Sequence, residues 1–228
     1  MVEYLDSLDK TLLLWLNGFH TPYFDNFMFL VSDKVVWIPL YMAIFAAMAM
    51  RFGMSKKLLA AIGVFALTIA IADSLCAEVI RPIVCRPRPS REDSGIAMLV
   101  HIVNGQRGGH YGYPSCHGAN SFALAIALSL IMRLRRIVLF IYAWAIVHSY
   151  SRIYLGVHYP GDILTGAIIG TVVAAAVYYG MSRLADMRSR QRDIASANVV
   201  IATGCVIVLL LLVSSFQPVF ESVHALLR

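Results

Sequence analysis

The chain has 228 residues, 59% of them hydrophobic and 14% charged, with a formal net charge of +6 and a mean hydropathy of +0.72. A soluble domain of this length cannot hide so much apolar surface, and the apolar residues fall in blocks, so an ordinary globular domain is excluded. A polytopic membrane protein of the all-α class is expected.

At the N-terminus, "YLDSLDKTLLLWLNGF" places apolar residues at helical spacing with Asp6, Asp9 and Lys10 between them and Trp15 toward one end. Residues 1–33 therefore read as a helical segment lying in the membrane interface. There is no basic start and no small-residue cleavage site, so a signal peptide is not expected. Six apolar blocks follow: 35–50, 58–80, 119–132, 137–147 running on toward Tyr150, 163–181 and 199–216. Because about 20 residues cross a bilayer core, the shorter blocks must extend into their flanks or tilt. Residues 34–228 are read as six transmembrane helices in one bundle, and 1–228 as a single membrane-embedded unit with no internal repeat and no soluble domain.

The basic residues divide by loop. Arg51, Lys56 and Lys57 follow the first span, Arg133, Arg135 and Arg136 the third, and Arg183, Arg188, Arg190 and Arg192 the fifth. With six alternating helices these loops share one side, which the positive-inside rule makes cytoplasmic. The termini and the loops 81–118 and 152–161 then face outward, in a bacterium the periplasm. Yet the outer loops carry Arg81, Arg86, Arg88, Arg91, Arg107 and Arg152, close to histidines. Guanidinium forks match phosphate oxygens, so such a gathering points to a bound anion. The net charge itself also suits anionic headgroups.

Spacing within the outer loops narrows the chemistry. Arg81 and Arg88 are two helical turns apart and share a face if the helix persists until Pro87 and Pro89 stop it. Ser115 and His117 follow Pro114 at a helix start, where free N–H groups and the helix dipole favour an anion. In "SRIYLGVHYPGD", Arg152 ends a helix, His158 lies in the loop, and Asp162 is in the first turn of the next helix. That carboxylate can hold one imidazole nitrogen and leave the other free to react.

The stretches "RPIVCRPRP" (81–89), "PSCH" (114–117) and "SRIYLGVHYPGD" (151–162) resemble the three signature motifs of the type-2 phosphatidic-acid phosphatase superfamily, K-x6-RP, PSGH and SR-x5-H-x3-D. The resemblance covers most of the chain and keeps the motif order. It implies that His158 attacks phosphorus to form a phosphohistidine, that Asp162 orients it, and that His117 protonates the leaving oxygen and then activates water. Arg81, Arg88, Ser115 and Arg152 would hold the phosphate oxygens. No metal or other cofactor is implied, and the outer loops lack the carboxylate cluster of a two-metal phosphatase.

Two positions depart from the motifs: Arg81 replaces lysine, and Cys116 replaces the glycine whose amide should approach phosphate. Cys85 lies between Arg81 and Arg88, so a continuing helix would bring it toward Cys116; two cysteines in sequence do not by themselves make a disulfide. "CRPRPSR" also satisfies the C-x5-R formula of cysteine-dependent phosphatases, but Pro87 and Pro89 lack the N–H groups that such a loop aims at phosphate. Plainer roles are read for the remaining groups. His148 is an interior hydrogen-bonding residue, Asp73 faces a polar partner or a substrate path, and Glu78 holds Arg81. Gly166 and Gly170 serve close helix packing, and Cys76 and Cys205 are packing residues. His101 and His110 belong to a solvated loop or a cover over the site, and "RSRQRD" is a headgroup anchor.

The expected function is metal-independent hydrolysis of a membrane lipid phosphate on the periplasmic side of a bacterial inner membrane. Undecaprenyl diphosphate, phosphatidylglycerol phosphate, phosphatidate and lipid A phosphates all suit the site, so the partner is a phospholipid or isoprenoid lipid and not a nucleic acid. Transfer of the phosphoryl group to a second lipid, or binding of anionic lipid without chemistry, are the alternatives; the sequence leaves the oligomeric state open.

Overall fold

The computed structural model describes residues 2–184 and 194–216. The protein is all-α. Helix α1 (Val2–Asn17) is followed by α2 (Pro22–Ser32), α3 (Ile38–Phe52), α4 (Lys56–Ser74), α5 (Arg81–Val84), α6 (Cys116–Met132), α7 (Arg135–Tyr154), α8 (Pro160–Leu184) and α9 (Ile194–Ser214). A π turn at Leu75–Ile80 joins α4 and α5 into one rod, Lys56–Val84, which makes eight helices among the described residues. Pro82 explains the turn: it has no N–H to continue the regular ladder, and its ring pushes on the preceding turn.

Five of these helices are long and apolar enough to cross a membrane: Val35–Phe52, Lys56–Val84, Arg135–Tyr154, Pro160–Arg183 and Ile194–Ser214. The sixth expected span, Cys116–Met132, is 17 residues, about 26 Å at 1.5 Å per residue against a hydrocarbon core of about 30 Å. Its position accounts for the shortness. α6 packs most extensively on α8 and also meets α7 and α4, so Ala119, Ala123, Ala125 and Ala127 are all buried against protein. The contact with α8 is backbone to backbone. A Cβ on Gly166 would lie 2.4 Å from Ser115 O, and one on Gly170 would lie 2.0 Å from Ala119 O. The expected glycine pair therefore packs helices, and it does so directly behind the "PSCH" stretch.

Residues 2–33 form two helices: α1 lies on the stretch read as the interfacial helix, and α2 follows it. Thr21 accepts from Phe24 N at 3.3 Å and Pro22 occupies the first turn, a start signal for α2. α1 has two faces. Leu5, Leu8, Leu12 and Trp15 are exposed on one side, whereas Asp9 and the buried Leu13 and Asn17 turn toward the loops around α7 and α8. The Asn17 amide fixes this placement, donating to Tyr154 O at 2.7 Å and to His101 O at 3.1 Å.

The rod Lys56–Val84 ends earlier than the sequence suggests. Cys85 takes a left-handed conformation (φ 49°), so Arg88 lies in the loop and not on the face of Arg81. Loop 85–115 is tied down by an antiparallel bridge between Pro87 and Tyr111, by Ser90 Oγ donating to Arg107 O, and by Ser94 Oγ donating to Pro89 O. Of the basic "RSRQRD" anchor, Arg188, Arg190 and Arg192 lie outside the described residues.

Candidate active site

Loop 155–159 presents His158 from the base of the outer loops. Gly156 (φ +68°) permits the turn, because a Cβ there would sit 2.4 Å from Val100 and 2.8 Å from His101 O. The imidazole is 1% exposed and Asp162 is 0% exposed. His158 Nδ1 and Asp162 Oδ2 are 3.2 Å apart, and Tyr159 N donates to the same oxygen at 3.0 Å. On the other side of the ring, Arg88 Nη1 meets His158 Nε2 at 2.8 Å and also donates to Val157 O at 2.9 Å.

These contacts assign the tautomer. A guanidinium can only donate, so Nε2 holds a free lone pair, and the proton sits on Nδ1 facing the carboxylate. Burial, reinforced by the charges of Arg88, Arg152 and Arg81, holds the His158 pKa well below its ordinary value. Arg88, 8% exposed, is pulled down to about 10 by burial and by Arg81, and stays charged at neutral pH. Gly112 closes the roof: a Cβ would approach Arg88 Cγ at 3.0 Å and Asp162 Oδ2 at 3.3 Å.

The other expected site residues lie around this pair. Arg81 Nη2 donates to Pro114 O and Cys116 Sγ, each at 3.0 Å, and these partners replace the expected hold by Glu78. Arg152 donates to Ser32 Oγ at the end of α2. Ser115 is fully buried and serves as the N-cap of α6; its Oγ accepts from Gly118 N at 3.3 Å and its own N–H donates to Asp162 O at 3.0 Å. The serine therefore ties the "PSCH" stretch to the aspartate. His117 stands in the first turn of α6, stacked on His148 with ring centroids 5.7 Å apart, within electrostatic reach of Arg152 and His158. It borders a cavity of about 420 Å³ whose walls include Ile44, Phe45 and Met48 of α3 and Ile62, Phe65 and Ile69 of α4. Polar groups meet that apolar space at Lys34, Asn120, Ser121 and His148.

The plainer readings resolve case by case. His148 is an interior residue, its Nδ1 2.8 Å from Ser121 Oγ, and Asp73 accepts from Asn120 Nδ2 at 2.8 Å. All four cysteines are free. The early end of the rod turns Cys85 toward Pro82 O, and Cys116 instead packs against the cluster that holds the buried Cys76. His110 pairs with Asp93 at 2.8 Å; His101 pairs with Asp25 at 2.9 Å and stacks on His20. Sequence reasoning counted Arg86 only among the arginines gathered for a bound anion and Asp9 only among the polar residues of the interfacial helix; in the structure Arg86 reaches Asp162 Oδ1 at 3.0 Å and Asp9 at 2.7 Å. The only available signal was the pair of aspartates on the polar side of α1.

Residues 57–186 match the model of the PAP2 superfamily. The chain is 48% identical over 170 residues, 75% of each chain, to a lipid A 4′-phosphatase of Bacteroides thetaiotaomicron. It is 34% identical over 177 residues, 78% of this chain and 74% of the relative, to a lipid A 4′-phosphatase of Porphyromonas gingivalis. Its fold is similar to the crystal structure of Aquifex aeolicus LpxE (TM-score 0.55, 24% identity, 74% of this chain and 93% of that one). It is also similar in fold to a PAP2-type phosphatidylglycerolphosphate phosphatase from Bacillus subtilis (TM-score 0.61, 17% identity, 81% and 90%).

Proposed function

The chain belongs to the PAP2 superfamily, and from that premise we propose that it is a lipid A 4′-phosphatase working through a phosphohistidine. The observation that carries the reading is the unprotonated His158 Nε2, accepting from Arg88, with the opposite nitrogen turned to Asp162. In the first step Nε2 attacks phosphorus, the phosphorus–oxygen bond to the sugar breaks, and His117 delivers a proton to the departing oxygen. In the second, His117 takes a proton from water as that water attacks phosphorus, and the phosphorus–nitrogen bond breaks. Arg81, Arg88, Arg152 and Ser115 hold the phosphoryl oxygens as charge spreads over them; Arg88 would move from Nε2 to the incoming phosphate.

The same proposal places 1–228 in the membrane as one unit with six spans, α6 being the short one and α1 lying in the interface on its exposed leucine and tryptophan face. Arg51, Lys56, Lys57, Arg133, Arg135 and Arg136 in the α3–α4 and α6–α7 connections support a cytoplasmic side there, hence a periplasmic site in the inner membrane. The test is phosphate release from lipid A by purified protein in detergent with EDTA present. Wild type should release phosphate and His158→Ala should release none while still binding the lipid. Turnover retained in His158→Ala would refute the mechanism, and phosphorylated lipid appearing in place of free phosphate would identify a phosphotransferase.

A further inference from the structure

Asp162 is gripped from two directions. Its Oδ2 serves the His158 side, and its Oδ1 has Arg86 Nη1 at 3.0 Å. The Arg86 guanidinium is itself clamped by α1: Nη1 donates to Asp9 Oδ2 at 2.7 Å, Nη2 donates to Asp6 Oδ1 at 2.8 Å, and the group lies over the Tyr159 ring at 3.8 Å. The second oxygen of Asp9 accepts from Gly161 N at 2.7 Å, one residue before Asp162, and a Cβ on Gly161 would strike Asp9 at 2.6 Å. Helix α1 therefore holds both the partner of the buried carboxylate and the backbone that carries it.

We infer that Arg86, clamped by Asp9 and Asp6, is a positioning residue for the reaction, setting the direction of the Asp162 carboxylate and through it the tautomer and aim of His158. This rests on the reading of His158 as the nucleophile. Two arginines two positions apart in the loop bracket the imidazole: Arg88 meets Nε2, and Arg86 acts on the Nδ1 side through Asp162. A buried carboxylate that loses its charged partner keeps neither its ionisation nor its orientation, and a histidine partner that turns away lets the wrong nitrogen carry the proton. The asymmetry of partners separates the two arginines. Arg86 directs its Nη1 and Nη2 to three carboxylates, so its loss should weaken the nucleophile more than it weakens the grip on phosphate.

The experiment compares full-length wild type, Arg86→Gln, Arg86→Lys, Asp9→Asn, the double variant Asp9→Asn/Arg86→Gln and His158→Ala in detergent. The substrate is lipid A or phosphatidate, whichever the wild type turns over faster, with orthovanadate inhibition and Tm measured alongside. Arg86→Gln should lower kcat by about 10–100-fold, the range for removing a partner that orients a reactive group, with KM and the vanadate inhibition constant within about 3-fold. Arg86→Lys should recover part of kcat, and Asp9→Asn should lower it less and add little to Arg86→Gln. Wild-type kcat in Arg86→Gln would overturn the inference; so would KM and vanadate inhibition weakening together with kcat, which would make Arg86 a phosphate ligand, or effects of the two variants that simply multiply. If Arg86→Gln does not fold, Asp9→Asn alone decides by the same split of kcat from KM. His158→Ala keeps the two readings apart: turnover there refutes the nucleophile, whereas an inert His158→Ala beside a fully active Arg86→Gln refutes only the positioning role.

Discussion

His158 carries the most specific physical expectation at the scale of single residues. An ordinary histidine titrates near about 6.5, but burial and three arginines hold this one well below that. Below 6.5 the unfolded chain takes up a proton that the folded site refuses. Its contribution to stability is therefore present above that pH and is lost as the pH falls toward the folded value. Histidine ¹⁵N spectra in detergent, with the resonance assigned by its loss in His158→Ala, should show a neutral ring at pH 6; a protonated ring would sink the assignment of a resting nucleophile. Cys116, standing where the family motif has glycine, is explained by its neighbours, for it receives Arg81 and packs against the cluster that holds Cys76. Sequence spacing placed His158, Asp162, His117 and the arginines in one region. It could not show which way each side chain turned, because that depends on partners such as Val157 O, Pro114 O and Ser32.

Among the elements, the α6–α8 contact connects two motifs. Gly166 and Gly170 let the helix bearing Asp162 touch the backbone of Ser115 and Ala119, and Ser115 N–H closes the contact onto Asp162 O. Gly170→Leu must push those backbones apart, an overpacking that costs about 1–3 kcal/mol or more. Thermal unfolding should move down by several degrees, with loss of phosphate release; a variant with unchanged Tm and activity would show that the helices do not need this approach. The glycine spacing was legible, since small residues four apart serve one helix face. The end of the Lys56–Val84 rod was not. Pro87 and Pro89 marked a stop, but the left-handed Cys85 stops the helix sooner, and no local preference demanded that conformation.

At the scale of the molecule, polar chemistry sits beside an apolar cavity. His117 borders a space walled by α3 and α4, and under the proposed function a lipid keeps a chain there while its phosphate enters the site beyond His117. Ile69→Trp should fill part of that space and lower kcat/KM for lipid A about 10-fold, leaving hydrolysis of short-chain soluble phosphate esters nearly unchanged. Equal losses on both substrates would separate the cavity from chain binding. Composition and periodicity determined the membrane class and the helical blocks, because burial in lipid and backbone satisfaction impose patterns that a linear chain displays, and the three motifs were legible by their resemblance to a family. Tertiary structure alone decided that α6 is a short central helix, that α1 reaches across to Arg86, and that Arg86 meets Asp162. Those contacts join residues 76 or more positions apart, and their pairing arises only when the helices pack and a buried carboxylate must find its charge.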